Sequence, residues 1–448
     1  MLGIDNWDQL SPREKYEKRF EKFSKPELDF PDESAKEAYQ ERIQMLKDVI
    51  ELKKPVRVPQ CLNMGVFVAD YAGYTAKDMM YNYERLGEAF KKFHKDFEVD
   101  AAASSMLMGP AKVFDILEYK LYDWPGNGVD EKRSYQCLEK EYMKADEYDL
   151  LINDPSAFWM RFYMPRIIGA MESWGKLSPW TDIIELPFMG PTFIPFGLPD
   201  VQESLKKLME AGSAALEWAG AFSQIDAEVS AINGLPPLFG GFAKAPFDTL
   251  GDTLRGTRPI MTDMFRRPEK LLEALEVLTA INIEMGIRAA NQNNNPIIFI
   301  PLHKGADGFM SEDQFGKFYW PTLEKVIKGL VEEGIVPYLF VEGGYNDRLD
   351  YLASEAEIPE KQTIWIFDDT DMRNAKEAIG DRACIGGNVP GSLLQTGSPA
   401  EVEEYVRDLI ENVGADGGYI LANGVVLDDG KVENVEAMLS AGRKYGKY

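Results

Sequence analysis

Cysteine and histidine are scarce in this sequence, and their scarcity excludes several kinds of site. The 448 residues contain three cysteines, at positions 61, 137 and 384, without any Cys-x-x-Cys pair. A disulfide framework and a thiolate zinc site are therefore not predicted. The two histidines are His94 and His303. Metal sites that need several imidazoles are excluded as well.

Basic residues are far fewer than acidic ones, and long apolar runs are absent from the sequence. Forty-nine Lys and Arg face 74 Asp and Glu, which leaves a net charge of −25. Such a field repels phosphate backbones and anionic headgroups, so neither nucleic acid nor membrane is expected as a partner. No apolar run approaches the roughly 18 to 20 residues that cross a bilayer, and the N-terminus lacks the apolar core of a signal peptide. We expect a cytoplasmic protein.

The chain divides into a short helical extension and one large domain. Residues 1–54 are charge-dense with apolar residues at helical spacing, and they predict an N-terminal helical extension. Residues 55–448 are predicted to form a single domain. Its first strand is expected at 55–65, where Pro59 favours an irregular or edge position. The stretch 120–200 is rich in Pro, Trp and Gly, which is typical of an insertion or a lid.

From residue 236 onward, short apolar strands alternate with helices of about 15 to 20 residues, as in βα units around a parallel sheet. Ser311 with Gln314 and Ser398 with Glu401 form capping-box patterns that predict two helix starts. The predicted strands lie within 236–242, 296–305, 335–344, 363–369, 382–389 and 417–425.

Polar residues follow these strands where the apolar runs end. In a parallel barrel the carboxyl ends of the strands line one mouth, so we expect these side chains to share a pocket. His303 and Glu342 are the strongest pair, because an imidazole and a carboxylate can hold a cation or act without metal as acid and base. Asp368 is the third catalytic candidate. The candidates for substrate binding are Tyr345, Lys304, Asp307, Asn388, Asn423 and Phe196.

Two further placements follow from the local pattern. Lys304 is expected to be solvated or paired with Asp307. His94, beside Lys92 and Lys95 at the edge of a helix stripe, is expected at the surface.

Several segments resemble the uroporphyrinogen decarboxylase superfamily: 147–155, 240–256, 303–330, 386–410 and 432–439. The most specific block is the Gly-Asn turn at 387–388, followed by the helix start Thr-Gly-Ser-Pro-Ala-Glu-Val at 396–402 and by Glu433-Asn434. The resemblance runs from about residue 55 to the end of the chain. It implies a (β/α)8 TIM-type barrel, here with the N-terminal extension and the irregular insertion.

The sequence departs from two branches of that superfamily. The decarboxylases hold the carboxylates of their tetrapyrrole with an arginine-rich N-terminal motif, but this chain has only Arg57 near its first strand. A pocket for eight carboxylates without an arginine cluster is electrostatically implausible. The thiol-activating methyltransferases use a His-x-Cys zinc motif. The matching place here is Phe340-Val341-Glu342, so thiolate ligands are missing.

The remaining branch comprises cobalamin-dependent methyltransferases of anaerobic O-demethylases. The resemblance implies that a methyl group passes from an aryl methyl ether of the guaiacol, veratrole or vanillate type to cob(I)alamin on a separate corrinoid-binding protein. His303 and Glu342, with or without zinc, would help the phenolate to leave. Other methyl donors such as methylamines, uroporphyrinogen decarboxylation and a non-catalytic barrel stay open as alternatives. A monomer and a homodimer are both compatible with the sequence.

Overall fold

A parallel sheet formed by the apolar segments of the second half of the chain dominates the computed structural model, which describes residues 6–448. Six parallel strands run in the order β4-β5-β6-β7-β8-β9. β6 to β9 are buried along their whole length and β5 is nearly so, as expected for strands covered on both faces. The strands are β1 (Tyr122–Pro125), β2 (Gly128–Val129), β3 (Gln136–Cys137), β4 (Gly241–Phe242), β5 (Ile297–Leu302), β6 (Val336–Val341), β7 (Ile364–Phe367), β8 (Cys384–Val389) and β9 (Tyr419–Asn423).

Two irregular segments lie between β9 and β4 and complete the eight strand positions of a barrel, which we call staves. Gln60 pairs in parallel with Leu421 of β9. The backbone N–H of Asp100 donates to the carbonyl of Gln60 at 2.8 Å. Ala102 then pairs in parallel with Pro237, just before β4. The predicted TIM-type barrel is confirmed, with backbone pairing around its whole circumference.

The first two staves are irregular. Isolated bridges at Arg57, Gln60 and Met64 replace the strand that was predicted at 55–65, and the second stave, near residue 100, pairs through a single bridge at Ala102. Pro59 cannot donate to a ladder, which limits regular pairing in the first of these segments. The predicted strand at 236–242 likewise contracts to the two residues of β4.

The longer helices lie mainly on the outside of the barrel. The capping boxes predicted at Ser311 with Gln314 and at Ser398 with Glu401 are both formed. The α-helices of eight or more residues are α1 (Pro12–Phe23), α2 (Glu33–Ile50), α3 (Tyr83–Asp96), α4 (Leu186–Phe193), α5 (Pro199–Asn233), α6 (Thr257–Arg266), α7 (Pro268–Asn293), α8 (Trp320–Glu332), α9 (Met372–Ile379), α10 (Pro399–Leu409) and α11 (Val432–Tyr445).

The N-terminal helices α1 and α2 cover one end of the barrel. Their apolar residues, among them Tyr16, Phe20 and Ile43, share a core cluster with Val336 and Ile364 at the starts of β6 and β7. Residues 1–5 of the predicted extension lie outside the described residues. The predicted boundary at residue 54 stays a prediction.

The predicted insertion at 120–200 contains a small sheet and several short helices. Its sheet has the order β2-β1-β3, and α4 is the one α-helix of eight or more residues within it.

His94 is buried, contrary to the prediction of a surface position. It is 5% exposed, and its ring packs edge-on against Phe93 with the centroids 5.2 Å apart. The apolar face of α3 is wide enough to include it, since Phe90, Phe93 and Phe97 all lie in the same core.

None of the helices in the described part of the chain combines the length with the apolar character that spanning a bilayer requires.

Candidate active site

The polar residues that follow the parallel strands gather at one rim of the barrel, as their positions predict. His303 follows β5, Glu342 follows β6 and Asp368 follows β7, while Asn388 and Asn423 lie near the ends of β8 and β9. These strands are parallel and neighbouring, so their carboxyl ends share one face. The contacts at this rim divide these residues into a charged centre and a set of structural hydrogen bonds.

The charged centre is built on His303. Its Nδ1 lies 2.6 Å from Oδ2 of Asp252, and its Nε2 lies 3.4 Å from Oε1 of Glu342. The imidazole thus stands between two carboxylates, with 31% of its side chain exposed. Burial disfavours the charge of the ring, but the hydrogen bonds to the two carboxylates outweigh it and raise the pKa of His303 to about 10. The sequence analysis predicted two of these three residues.

Asp252 is the residue of this centre that the sequence analysis missed. It lies in a π-helical turn, Thr249–Leu254, and its carboxylate also meets Lys244 Nζ at 2.7 Å and Lys304 Nζ at 2.9 Å. Burial would raise its pKa, but the hydrogen bond to His303 and the lysine charges hold that pKa well below its usual range. Asp252 is therefore an anion that keeps the His303 ring oriented and charged.

The prediction that Lys304 is solvated or paired with Asp307 is wrong. It is 7% exposed, and its Nζ lies between Asp252 and Glu139 of the insertion, 2.8 Å from Oε1 of Glu139. Asp307 instead accepts the backbone N–H of Asp347 at 3.2 Å. Lys304 is therefore a buried cation whose charge two carboxylates compensate.

Asp248 holds the turn after β5 through hydrogen bonds to its backbone. This fully buried carboxylate accepts the backbone N–H groups of His303 at 3.0 Å and Lys304 at 2.8 Å. It also accepts the hydroxyl of Tyr319 at 2.8 Å. Asp248 therefore fixes the backbone that presents His303, and its position four residues before Asp252 suits two neighbours on one helical turn.

Asn388 and Asn423, predicted to bind substrate, and Asp368, predicted to be catalytic, make structural contacts at the rim. The side-chain amide of Asn388 donates at 2.7 Å to the carbonyls of Asp368 and Thr370. Asn423 exchanges two hydrogen bonds with the backbone of Asn63, at 2.9 and 3.0 Å. Asp368 accepts the backbone N–H of Gly343 at 3.1 Å. These bonds tie neighbouring staves together at the rim, next to the charged centre.

Phe196 and Tyr345 do not reach the site in the way that was predicted. Phe196 belongs to an aromatic group in the insertion, with Trp180 and Phe193 at centroid distances of 6.0 and 5.7 Å. Tyr345 is 1% exposed and packs edge-on against Phe315 in the core. These two residues were predicted because they are aromatic, but the sequence does not show which cavity an aromatic side chain faces.

A cavity of about 170 Å³ lies inside the barrel beside the charged centre. Glu342 is the one charged residue that lines it in the part of the chain that the structure describes. Four phenylalanines and two methionines belong to its apolar lining, and Ser134 and Tyr135 reach it from the insertion. The lining residues are Leu62, Asn63, Met64, Gly65, Val66, Ala103, Leu107, Met108, Ser134, Tyr135, Leu238, Phe239, Phe242, Phe299, Phe340, Glu342 and Val426.

Sequence reasoning missed the aromatic lining, although a signal for it was present. Phe299 and Phe340 lie on β5 and β6, and alternate residues of a barrel strand face the interior. Phe340 and Glu342 also stand where the thiol-activating methyltransferases have their His-x-Cys motif. That departure of the sequence therefore lies at the cavity.

A zinc ion does not fit the side chains of this rim. Among residues 6–448, no three or more His, Cys, Asp or Glu side chains are arranged to hold a metal. His303 and Glu342 alone fall short of the three protein ligands of a catalytic zinc site. Nδ1 of His303 is already bonded to Asp252. This pair is accordingly suited to proton chemistry.

The two histidines offer a direct test of these environments. Burial lowers the pKa of His94 to about 4, whereas the carboxylates raise that of His303 to about 10. In a histidine-selective NMR titration we expect one ring to stay neutral down to about pH 4 and the other to stay charged up to about pH 10. A histidine that titrates near its ordinary value of about 6.5 would contradict this geometry.

Comparison with known proteins gives a family and a fold. The sequence model of the family described as uroporphyrinogen decarboxylase (URO-D) matches residues 220–445, half of the chain. Curated uroporphyrinogen decarboxylases from Erwinia tasmaniensis and Teredinibacter turnerae are 24% and 23% identical over 211 and 201 residues. These matches cover 44% and 42% of this chain, and 56% and 53% of the relatives.

A solved structure has a similar fold over nearly the whole chain. It is described as a methyltransferase from Methanosarcina mazei, with a TM-score of 0.59 and 17% sequence identity. The superposition covers 91% of this chain and 98% of that one. At this identity the likeness concerns the fold.

Proposed function

The chain belongs to the uroporphyrinogen decarboxylase family, and from that premise we propose that it is a methyltransferase that takes the methyl group of an aryl methyl ether. The acceptor is cob(I)alamin carried by a separate corrinoid-binding protein. The similarity in fold to a methyltransferase supports the reaction type. The aryl ether is inferred from the cavity.

The observation that carries this proposal is an arene-sized apolar cavity with one acid group in its wall. An apolar cavity of roughly 150 Å³ is enough to bind benzene, and the cavity here measures about 170 Å³. Phe239, Phe242, Phe299 and Phe340 supply ring faces and edges for a bound arene. Glu342 stands beside them with His303 directly behind it.

The chain's contribution to the reaction is to deliver a proton to the departing oxygen. Glu342 lines the cavity as the carboxylate partner of His303, and it relays a proton from Nε2 of that ring to the phenolate oxygen as the bond from oxygen to methyl carbon breaks. That transfer leaves the His303 ring neutral, with its Nδ1–H still on the ring and donating to the carboxylate of Asp252. A phenol has a pKa of about 10, close to that of His303, so the overall transfer is nearly balanced in free energy.

The same rim is poorly suited to uroporphyrinogen. Eight carboxylates need cations, but among the described residues no Lys, Arg or His lines the cavity. Arg57, the one arginine near the first stave, is held by the buried carboxylate of Asp100 at 2.5 and 2.6 Å. We therefore favour methyl transfer over decarboxylation within the family.

An open cleft beside the cavity suits the approach of the corrinoid. It is about 720 Å³, shares Val426 with the cavity, and is lined by Asp368, Asn388 and Asp428 among others. The primary amides around a corrin ring are donors that carboxylate oxygens can accept. When bound there, cob(I)alamin supplies the nucleophile for the methyl carbon.

Methyl transfer with the purified chain tests the proposal. We expect cob(I)alamin, supplied free or on its carrier protein, to become methylated when guaiacol or veratrole is added, as followed by absorbance. Trimethylamine and methanol serve as competing donors, since an aromatic cavity can also hold a methylammonium group. Methylation from an amine but not from any ether would replace the aryl ether with that donor. No methylation from any of them would refute the proposal.

A further inference from the structure

The charge of the cavity lining restricts which arenes can enter. Its polar atoms come from Glu342, Asn63, Ser134 and Tyr135, and none of these is a cation. The side chain of Asn63 is already occupied, because its Oδ1 accepts the hydroxyl of Tyr338 at 2.9 Å and its Nδ2 donates to the carbonyl of Asn423 at 3.0 Å. A carboxylate on the ring would therefore find no cation in the lining, and would meet only the hydroxyls of Ser134 and Tyr135, apolar groups and the charge of Glu342.

The nearest cations are not available to a ligand. Lys304 is held by Asp252 and Glu139, and Lys244 is held by Asp252. His303 stands between Asp252 and Glu342. A benzoate would have to displace one of these ion pairs, which leaves another charge buried without a partner.

We propose that this cavity selects a single uncharged ring and rejects methoxyarenes that carry a carboxylate. The inference rests on the proposed function and narrows its substrate class. Guaiacol and veratrole then belong to the accepted donors, while vanillate does not. The volume of about 170 Å³, close to that of a cavity that binds benzene, favours a single ring over a fused pair.

Equilibrium binding without any corrinoid separates this inference from the reaction itself. The probes are guaiacol, vanillate and 2-methoxynaphthalene, measured by calorimetry at neutral pH, where the benzoate is ionised. We expect guaiacol to bind and vanillate to bind at least about a hundredfold more weakly, because an unpaired charge in an apolar site is costly. The naphthalene is expected to bind more weakly than guaiacol as well.

A matched pair of variants tests the role of charge. Val425 and Val426 are adjacent, partly exposed at 36% and 42%, and only Val426 lines the cavity. We expect Val426→Arg to improve vanillate binding by about tenfold or more through a new charge-assisted contact, and Val425→Arg to leave it unchanged. A circular dichroism spectrum confirms that each variant is folded.

The possible outcomes test the charge selection separately from the proposed aryl ether demethylation. Vanillate that binds the wild-type chain as tightly as guaiacol overturns the charge selection and leaves aryl ether demethylation intact. Equal gains in vanillate binding for the two arginine variants also overturn it. If no methoxyarene binds at all, the proposed function fails together with the inference.

Discussion

Replacing His303 by asparagine is expected to slow methyl transfer from guaiacol by roughly two to four orders of magnitude, the usual contribution of a positioned acid or base. Asparagine can still bond to Asp252, but it cannot supply a proton to Glu342. Because His303 lies behind Glu342 and does not line the cavity, the affinity for guaiacol should change little. Single-turnover rates and calorimetry measure the two quantities separately.

The other histidine provides a matched control. His94 is buried in the core, and neither of its ring nitrogens has a hydrogen-bond partner in the described part of the chain. We expect His94→Leu to keep the wild-type rate and to unfold at the same or a higher temperature, since an apolar residue has no buried polar atoms to satisfy. If His303→Asn retained more than about a tenth of the wild-type rate, the proton would have to come from another group.

Replacing Asp252 by asparagine is expected to move the alkaline limit of activity to lower pH. In the wild-type chain His303 stays charged until the pH rises through about 10, so the acid form is present throughout the neutral range. Asp252 provides the shorter of the two carboxylate contacts to this ring, at 2.6 Å. Loss of its charge should lower the pKa of His303 by about one to three units.

The rate of the variant should therefore fall between neutral pH and about pH 9, whereas the wild-type rate stays nearly constant. The NMR titration of His303 measures the same shift without turnover. Asp263→Asn is the control, because Asp263 is an equally buried carboxylate that is paired with Arg255 at 2.7 Å, away from His303. An unchanged pH profile in Asp252→Asn, with the NMR pKa of His303 also unchanged, would remove Asp252 from the mechanism.

The raised pKa of His303 also makes stability depend on pH in a defined direction. The folded chain binds this proton more tightly than the unfolded chain, whose histidines titrate near 6.5. The resulting stabilisation is fully present below that value and is lost as the pH rises through about 10.

The strand pattern alone determined the parallel sheet and the position of its rim, and the family resemblance implied that the sheet closes into a barrel. Runs such as β5 and β6 are apolar throughout, and parallel strands buried on both faces require that composition. Because parallel strands all end on one face, the residues after them had to meet, and this is why His303 and Glu342 could be paired before any coordinates. The capping boxes at Ser311 and Ser398 could also be predicted, because each depends on two residues only three positions apart in the sequence.

Only the tertiary structure decided which charges compensate one another and which side chains enclose the cavity. Asp252 and Glu139 lie 51 and 165 residues from their partners at the rim, and no local pattern encodes such distances. His94 and Lys304 were placed wrongly for the same reason, because burial depends on what packs above a residue. The aromatic lining comes from several separate staves, and only closure of the barrel brings their inward faces together.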